Sequence, residues 1–566
     1  MSSSGRASPT TTSKIGRTVW NYAEIYRAIA RELPDLPCQV QGDHVTTWAQ
    51  FDRRSDAVAA HLLSLGLPRQ AKVAVLLRNC PQYIEAYVGC FKAALTPLNV
   101  NYRYGHDEVV HVLTNGDAEA LIFHTSLTEV VDGARPDLPR VGHFIALEDP
   151  FGAGPASVAR TSVPQVPEWA HSYEQVATSG GPLADPPGLS GDDALLQYTG
   201  GTTGLPKGVL WRQDTVISAL GGATNFYQNK PAVDDLDGLV RQLERGGKRL
   251  YVACPLMHAT GLFTGLSLMN EGWAVETTAA QRFSAPAMLQ TLSEHQVNAA
   301  VIVGDAFARP LLAELEANGP AYNLHHLELI ISAGSVWSQR VRQGFLDRLP
   351  WVLLCDNYGS SEALRGVQTY SRPGQVPESG VIEASERLHL MDEHGALLQP
   401  ALPEDRGALL ISGHLADGYY NDSSKSASTW VTIDGRRYCV TGDSGEVEPD
   451  GSIRLLGRGN SVINTGGEKV FPQEVEDVVR THPSVLDAAV VGLPHERFGQ
   501  VVVAVVVLRA DAELDQGTLG EHVRRHLADY KLPRRMAVVD RIPRTAAGKV
   551  DYATSRSAAV AALAKP

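Results

Sequence analysis

Positive charge is scarce in this sequence: 50 Lys and Arg stand against 63 Asp and Glu, a formal net charge of -13. That balance argues against a general binder of nucleic acid or of anionic membrane, which needs a basic surface. Any anionic ligand must be drawn in by local cations and backbone N–H groups. Cysteine is sparse as well. Cys38, Cys80, Cys90, Cys254, Cys355 and Cys439 show no paired spacing and mostly lie in apolar stretches. They are expected to be small buried hydrophobes, with no zinc site among them, and they predict a reducing, cytoplasmic setting. Cys439 has no base partner nearby and reads as packing. Scattered histidines such as His325-His326 lack metal-ligand spacing. No apolar run approaches a membrane span. Met1 to Lys14 is rich in Ser and Thr without an apolar centre, so residues 1–14 are expected to be a disordered tail rather than a signal peptide.

What is present describes a soluble globular chain of more than one domain, with 43% hydrophobic and 20% charged residues. From about Trp20 to Ser360, short apolar runs alternate with amphipathic stretches. Lys72 to Leu77, Ala120 to His124, Leu250 to Cys254, Ala299 to Val303 and Leu327 to Ser332 read as buried strands. Pro286 to His295 and Ala308 to Ala317 read as helices between them. The alternation predicts an α/β class, with parallel sheets covered by helices on both faces. Asp149 to Asp193 and Lys230 to Lys248 are polar, Gly-containing and expected to be irregular surface segments. Past Tyr370 the texture changes. Val381 to Met391, Ala408 to Ser412 and Ile453 to Leu456 are short runs split by Asp/Gly turns, which predict an antiparallel layer or small β barrel. A compact α+β unit follows Gly457. Its first helix opens at Phe471-Pro472 with Val475, Val478 and Val479 on one face; Val501 to Val507 is a strand, and Leu519, Val523 and Leu527 mark a second helix.

The most specific stretch is YTGGTTGLPKG, Tyr198 to Gly208, directly after the apolar run Ala194 to Leu196. Gly200, Gly201 and Gly204 let the backbone turn tightly and bring N–H groups against a ligand. Thr199, Thr202 and Thr203 add hydroxyl donors, and Lys207 adds a cation. So many donors in so short a turn suit a polyphosphate. It is not a Walker A loop, because Pro206 precedes Lys207 and Gly208 stands where that motif has Ser or Thr.

Companions follow in a particular order: His258 in PLMHATG, Ala333-Gly334-Ser335, Asn357-Tyr358-Gly359-Ser360-Ser361-Glu362, and Thr441-Gly442-Asp443 after Tyr438. Then come Gly457-Arg458, Asn464-Thr465-Gly466-Gly467-Glu468-Lys469, and Arg544 to Lys549. With these motifs in this order, the chain from about Trp20 to Asp551 resembles the acyl-adenylate-forming superfamily of acyl-CoA ligases, peptide-synthetase adenylation domains and beetle luciferases.

The resemblance implies two steps: ATP converts a carboxylate to an acyl-adenylate, and a thiol then displaces AMP. It implies that Thr199, Gly200, Gly201, Thr202, Thr203, Gly204 and Lys207 cradle the β- and γ-phosphates, and that Ser361 touches the α-phosphate. Glu362 would help hold Mg²⁺, a hard cation that favours carboxylate and phosphate oxygens. Ala333, Gly334 and Ser335 with Asn357, Tyr358, Gly359 and Ser360 would form the adenine slot. Asp443, with Arg458 assisting, would take the ribose hydroxyls. Lys549 would bridge carboxylate and α-phosphate and carry adenylation. His258 would gate an acyl pocket that includes Gly261, Gly334, Gly304, Asp305 and Ala306; the alternatives for Asp305 are a polar substrate feature or a cap for the helix starting near Ala306. Gly466, Gly467, Glu468 and Lys469 would meet the pantetheine arm of CoA.

Domain expectations follow the same resemblance: a large N-terminal unit 15–457, a hinge 458–460 and a small mobile lid 461–566. Asn460 stands at the pivot, where the family usually has Asp or Lys. PKGVLWRQ (Pro206 to Gln213), VGDAFARPL (Val303 to Leu311) and the stretch Gly457 to Glu476 are similar to actinobacterial ligases for fatty acids, steroid side-chain acids or other bulky alicyclic acids. The implied reactants are ATP, Mg²⁺, CoA and a small hydrophobic carboxylic acid. Three readings remain beside a full ligase: an enzyme keeping one half-reaction beside a companion ligase, a loader of a carrier protein, and a non-catalytic adenylate binder. A homodimer stays open.

Overall fold

Two eight-stranded sheets carry most of the chain. The structure is a computed structural model and describes residues 20–149, 165–179, 183, 186–201, 204–223, 230–280, 282–335, 337–399, 401–458, 462–544 and 550–564. One sheet runs, in spatial order, Ala363–Ser371, Leu353–Ser360, Leu329–Ala333, Ala299–Ile302, Arg249–Val252, Ala274–Glu276, Pro37–Gln41, His44–Thr47. The other runs Gly418–Tyr419, Gly204–Arg212, Ala194–Gly201, Thr96–Asn99, Lys72–Leu76, Ala118–His124, His143–Leu147, His171–Ser172. Their central strands are parallel, as the alternation predicts, and continuous apolar runs such as Val73 to Leu76 are buried.

The edges depart from that expectation. Leu353–Ser360 pairs antiparallel with Ala363–Ser371, and Ala194–Gly201 pairs antiparallel with Gly204–Arg212. Each pair is joined by two residues, and a connection that short permits only a hairpin. The first turn is Ser361-Glu362. The second is Thr202-Thr203, which lies outside the described residues.

Both segments expected to be irregular contain structure. Asp149 to Asp193 holds the strand His171–Ser172 and the helix Tyr173–Ser179. Tyr173 is fully buried and donates to Glu85 at 3.0 Å, while the Arg54 guanidinium binds both Glu85 and Glu174. These anchors override a loop-like composition. Lys230 to Lys248 holds the helix Leu236–Gln242, capped by Asp235, whose carboxylate accepts from the Gly238 N–H at 2.7 Å. All six cysteines are free and buried, and burial pushes the Cys254 thiol up to about 12.

Beyond Tyr370 lies a six-stranded antiparallel sheet in the order Val381–Ile382, Ile453–Arg458, Arg436–Val447, Arg406–Ser412, Leu388–Met391, with Trp430–Ile433 beside Arg436–Val447. Among the described residues its hydrogen-bonded path is open, the antiparallel layer expected there. A five-stranded sheet closes the chain: Glu468–Val470, Ile463–Thr465, Gly499–Leu508, Val485–His495, and Arg535–Val538 parallel to Gly499–Leu508. The helix Pro472–Arg480 packs Val475 and Val479 onto it, and Leu519 and Val523 join from the helix Gln516–Arg524. Among the described residues no helix is long and apolar enough to cross a membrane.

Candidate active site

The glycine-rich hairpin is anchored by one amide. Asn99, at the end of the neighbouring parallel strand, accepts from the Tyr198 N–H at 2.5 Å and donates to the Tyr198 carbonyl at 2.9 Å. Its amide also reaches the Met257 carbonyl at 2.7 Å, and Gln197 donates to that carbonyl at 2.9 Å. The strand carrying Thr199 is thereby fixed to the loop carrying His258. Thr199 faces Lys207 across the hairpin, and Lys207 donates to Asp422 at 2.5 Å. That bond holds the Asp422 carboxyl below the usual range. Gly208 gives the Tyr198 ring its room, since a Cβ there would lie 2.8 Å from it.

The second hairpin turn brings Ser360, Ser361 and Glu362 to the same place. The buried Trp211 indole donates to the Ser361 carbonyl at 2.9 Å, tying the two hairpins together. Glu362 accepts from the Tyr419 hydroxyl at 2.7 Å. Burial and the Glu362 charge both push that phenol up, so it stays a donor. Thr199, Lys207, Ser361, Glu362 and Lys469 border a polar cavity of about 90 Å³. A carboxylate among hydroxyls fits a Mg²⁺ ion that takes one protein carboxylate and completes its shell with phosphate oxygens and water.

Ala333 and Asn357 are paired neighbours at the ends of parallel strands, and both border the adjoining larger cavity with Gly334, Gly359 and Ser360. Ser335 is not among the residues that line it. Tyr358 points to the other face of its strand, as period-two alternation requires. Its hydroxyl donates to Asp443 at 2.8 Å and lies 3.2 Å from Thr441. Asp443 sits opposite Arg458 across two paired strands.

That larger cavity, about 150 Å³, is walled by Leu220, Met257, His258, Phe263, Thr264, Leu364 and Gln368. His258 opens the helix Ala259–Met269. Gly261, Gly304, Asp305 and Ala306 do not line it. Gly261 instead lets that helix start against the Pro255 carbonyl, 2.7 Å from where a Cβ would stand. Gly304 begins the helix Gly304–Asn318 and donates its N–H to Ser332 at 3.0 Å. Asp305 is inside the first turn of that helix, accepting from the Ser338 N–H and from Arg309, each at 2.9 Å.

The C-terminal sheet reaches into the cleft. Gly467, Glu468, Lys469 and Tyr530 complete the wall of the larger cavity. Gly466 and Gly467 have φ of +60 and +90, so backbone conformation rather than crowding requires glycine; a Cβ at Gly467 would meet Phe307 and Val303 only at ordinary contact distances. Glu468 pairs with Arg103 and lies 3.1 Å from His258 Nε2. Burial alone would raise its carboxyl, but His258 and Arg103 prevail and hold it at about 2. Beside it, Lys531 is buried between Glu108 at 2.6 Å and Glu474 at 2.8 Å. Sequence reading missed Asn99, Arg103, Glu108, Tyr419, Asp422, Tyr530 and Lys531. The one local signal was polar Asn99 and Asn101 breaking an apolar strand end. Thr202, Thr203, Asn460 and Lys549, and the side chain of Arg458, lie outside the described residues.

A family model described as AMP-binding enzyme matches residues 26–420, and one for the AMP-binding enzyme C-terminal domain matches 474–549. The medium-chain acyl-CoA ligase Mig of Mycobacterium avium is 34% identical over 558 residues, covering 96% of this chain and 99% of its own. The 3-oxocholest-4-en-26-oate–CoA ligase of Rhodococcus rhodochrous is 33% identical over 537 residues, covering 94% of each. Among solved structures, a double mutant of o-succinylbenzoate CoA synthetase from Bacillus subtilis aligns with a TM-score of 0.75 at 21% identity, covering 94% of this chain and 97% of its own. The amide bond synthetase McbA of Marinactinospora thermotolerans aligns at 0.74 and 22% identity, covering 95% and 99%.

Proposed function

Because this chain belongs to the AMP-binding enzyme family, we propose that it is an ATP- and Mg²⁺-dependent acyl-CoA ligase for a hydrophobic carboxylic acid. One observation carries the reading: a polar cavity suited to phosphates and a mainly apolar cavity suited to an acyl chain share Thr199, Ser360, Ser361 and Lys469. An acid in one and a nucleotide in the other would meet where those walls join. The named relatives are ligases of medium-chain and steroid acids with CoA, which supports an apolar acid and CoA as the acceptor.

In the first step a carboxylate oxygen attacks the α-phosphorus and the bond to pyrophosphate breaks. Two anions approach each other, so the site must cancel their repulsion and hold the attacking oxygen in line. Lys207 and the hairpin N–H groups take the β- and γ-phosphates, Ser361 the α-phosphate, and Asp443 with Arg458 the ribose. Glu362 would hold Mg²⁺, which supplies charge neutralisation at the phosphate oxygens. Lys549 stabilises the charge between carboxylate and α-phosphate. In the second step the thiol sulfur attacks the acyl carbon and the bond to AMP breaks. Glu468 and the turn at Gly466-Gly467 border the thiol's path. The two steps need different residues of the unit 461–566 at one place, so that unit turns about residues 458–460. The reading includes a cytoplasmic location, supported by six unpaired cysteines.

The test is mass spectrometry of products from ATP, CoA and a panel of fatty, aromatic and polycyclic acids, which should show AMP, pyrophosphate and an acyl-CoA. Lys549→Ala should slow pyrophosphate release by about 10²–10³-fold and leave conversion of supplied acyl-adenylate to thioester largely intact. Equal losses in both assays remove the role given to Lys549.

A further inference from the structure

The polar cavity of about 90 Å³ has in its wall a lysine outside every motif read from the sequence. Lys425 borders it together with Lys207, Tyr419 and Thr429, and none of these four borders the acyl cavity. Lys425 belongs to the helix Ser423–Thr429, and Thr429 follows it by four residues. Residues four apart share a helix face, so Lys425 and the buried Thr429 turn to the cavity together.

That helix is fastened to the glycine-rich hairpin. Gly418–Tyr419 pairs antiparallel with Gly204–Arg212, and the Tyr420 N–H donates to the Gly208 carbonyl at 2.8 Å. Ser426 Oγ accepts from the Tyr419 N–H at 2.8 Å and donates to the Asp422 carbonyl at 2.7 Å, closing the turn between strand and helix. Asp422 caps the helix: one carboxylate oxygen accepts from the Lys425 N–H at 2.9 Å and the other from the Lys207 ammonium. The Lys207 bond first, then the Lys425 N–H and both ammonium charges, hold this carboxyl below its usual range. With both oxygens so taken, Asp422 leaves the Lys425 ammonium unbonded; among the described residues it has no ion pair or hydrogen bond of its own. The other carboxylate on the cavity, Glu362, accepts from the Tyr419 hydroxyl. A compact ammonium with three donors suits phosphate oxygens.

Direction decides which phosphate Lys425 meets. The acyl cavity joins the polar one at Thr199, Ser360, Ser361 and Lys469, so a carboxylate reaches the α-phosphorus from that side. In-line displacement sends the leaving group the opposite way, towards walls that only the polar cavity has. Resting on the acyl-CoA ligase reading, we propose that Lys425 is a further substrate-binding residue of the first step, whose ammonium holds the β- and γ-phosphates of ATP and the pyrophosphate that leaves. The bond from the α-phosphorus to its bridging oxygen breaks and the electron pair stays on that oxygen. Lys425 and Lys207 together offset the charge that pyrophosphate gains.

The experiment follows acid-dependent exchange of labelled pyrophosphate into ATP by the full chain, using the acid of the product panel that turns over fastest. Thioester formation from supplied acyl-adenylate is the second readout. Lys425→Met keeps the length of the stem without the charge; it should raise the KM for pyrophosphate by about tenfold or more and leave the KM for the acid unchanged. Lys425→Arg, which restores a cation, should bring the KM for pyrophosphate back towards the wild-type value. Thioester formation, in which no pyrophosphate takes part, should keep its wild-type rate in both variants. The ratio of the two rates in one preparation cancels any loss of folded enzyme. An unchanged KM for pyrophosphate in Lys425→Met, or equal losses in both half-reactions, overturns this proposal and leaves the ligase reading standing. Failure of the wild-type chain to release pyrophosphate and form a CoA thioester with any acid overturns both.

Discussion

Glu468 and Glu474 lie on one short stretch of the C-terminal unit, both buried, and their carboxyl groups are driven in opposite directions. Glu468 enters the cleft between two partners of the large unit, Arg103 and His258, and is held at about 2. Glu474 must share a single cation, Lys531, with Glu108 of the large unit; burial pushes it up, and Lys531 only partly offsets that. Depth is similar in the two places, so the ratio of partners to charges decides the outcome. One contact is charged and specific, while the other is a carboxylate pair held together by an ammonium. Both join the same two units.

The largest way to break this comparison is Lys531→Met. It leaves two buried carboxylates facing each other, and removing one partner of a buried ion pair costs about 3–5 kcal/mol. Thioester formation from supplied acyl-adenylate should fall by about 10²-fold, since each 1.4 kcal/mol is a factor of ten. Pyrophosphate release should change far less, and adding Glu108→Gln should recover part of the loss. Unchanged rates in both half-reactions would show that the Lys531 seam plays no part in the pose.

Glu468→Gln comes next. A hydrogen bond to a charged group is worth about 1.5–3 kcal/mol, so thioester formation should slow by at least about tenfold. The two carboxyl groups also answer acid oppositely. A depressed carboxyl such as Glu468 contributes stability that is complete above the ordinary value and is lost as pH falls through about 2. A raised carboxyl such as Glu474 contributes stability that is fully present below the ordinary value and is lost as pH rises through its folded value. Acidification below the ordinary carboxylate range should therefore loosen the Glu468 contact. Small-angle scattering of wild type against Glu468→Gln across that range reads this directly, and identical profiles would refute it. The smallest effect belongs to Gly467→Ala. At φ of +90 it strains the turn by about 1–2 kcal/mol, and it should raise the KM for CoA more than it lowers kcat.

Much of this was legible in the sequence because it is local. Alternating apolar runs gave the buried strands, and Phe471-Pro472 marked a helix that begins at Pro472, with the Glu474 carboxylate accepting from the Phe471 N–H at 3.2 Å. The motifs expected at the phosphates place Thr199, Lys207, Ser361 and Glu362 around one cavity, and Lys469, expected at the pantetheine arm, borders it too. What escaped was set by distant pairings. Arg103 and Glu468 are joined across 365 positions, and Lys531 and Glu108 across 423, with no local pattern that ties them. The helix at Tyr173–Ser179 was missed for the same reason: Tyr173, Glu85 and Arg54 hold it from elsewhere in the chain. Gly304, Asp305 and Ala306 were expected along the acyl cavity, yet the helix Gly304–Asn318 turns Asp305 towards Ser338 and Arg309.

The Trp211 indole joins a strand of one hairpin to the turn of another, and the two hairpins belong to different sheets. A relative slip of those sheets by a fraction of a hydrogen-bond length would separate Glu362, proposed to hold the metal, from the hairpin proposed to grip phosphate, without exposing either core. Warmth should therefore silence turnover before calorimetry records any melting, and the emission of that single ring should drift at the same temperature.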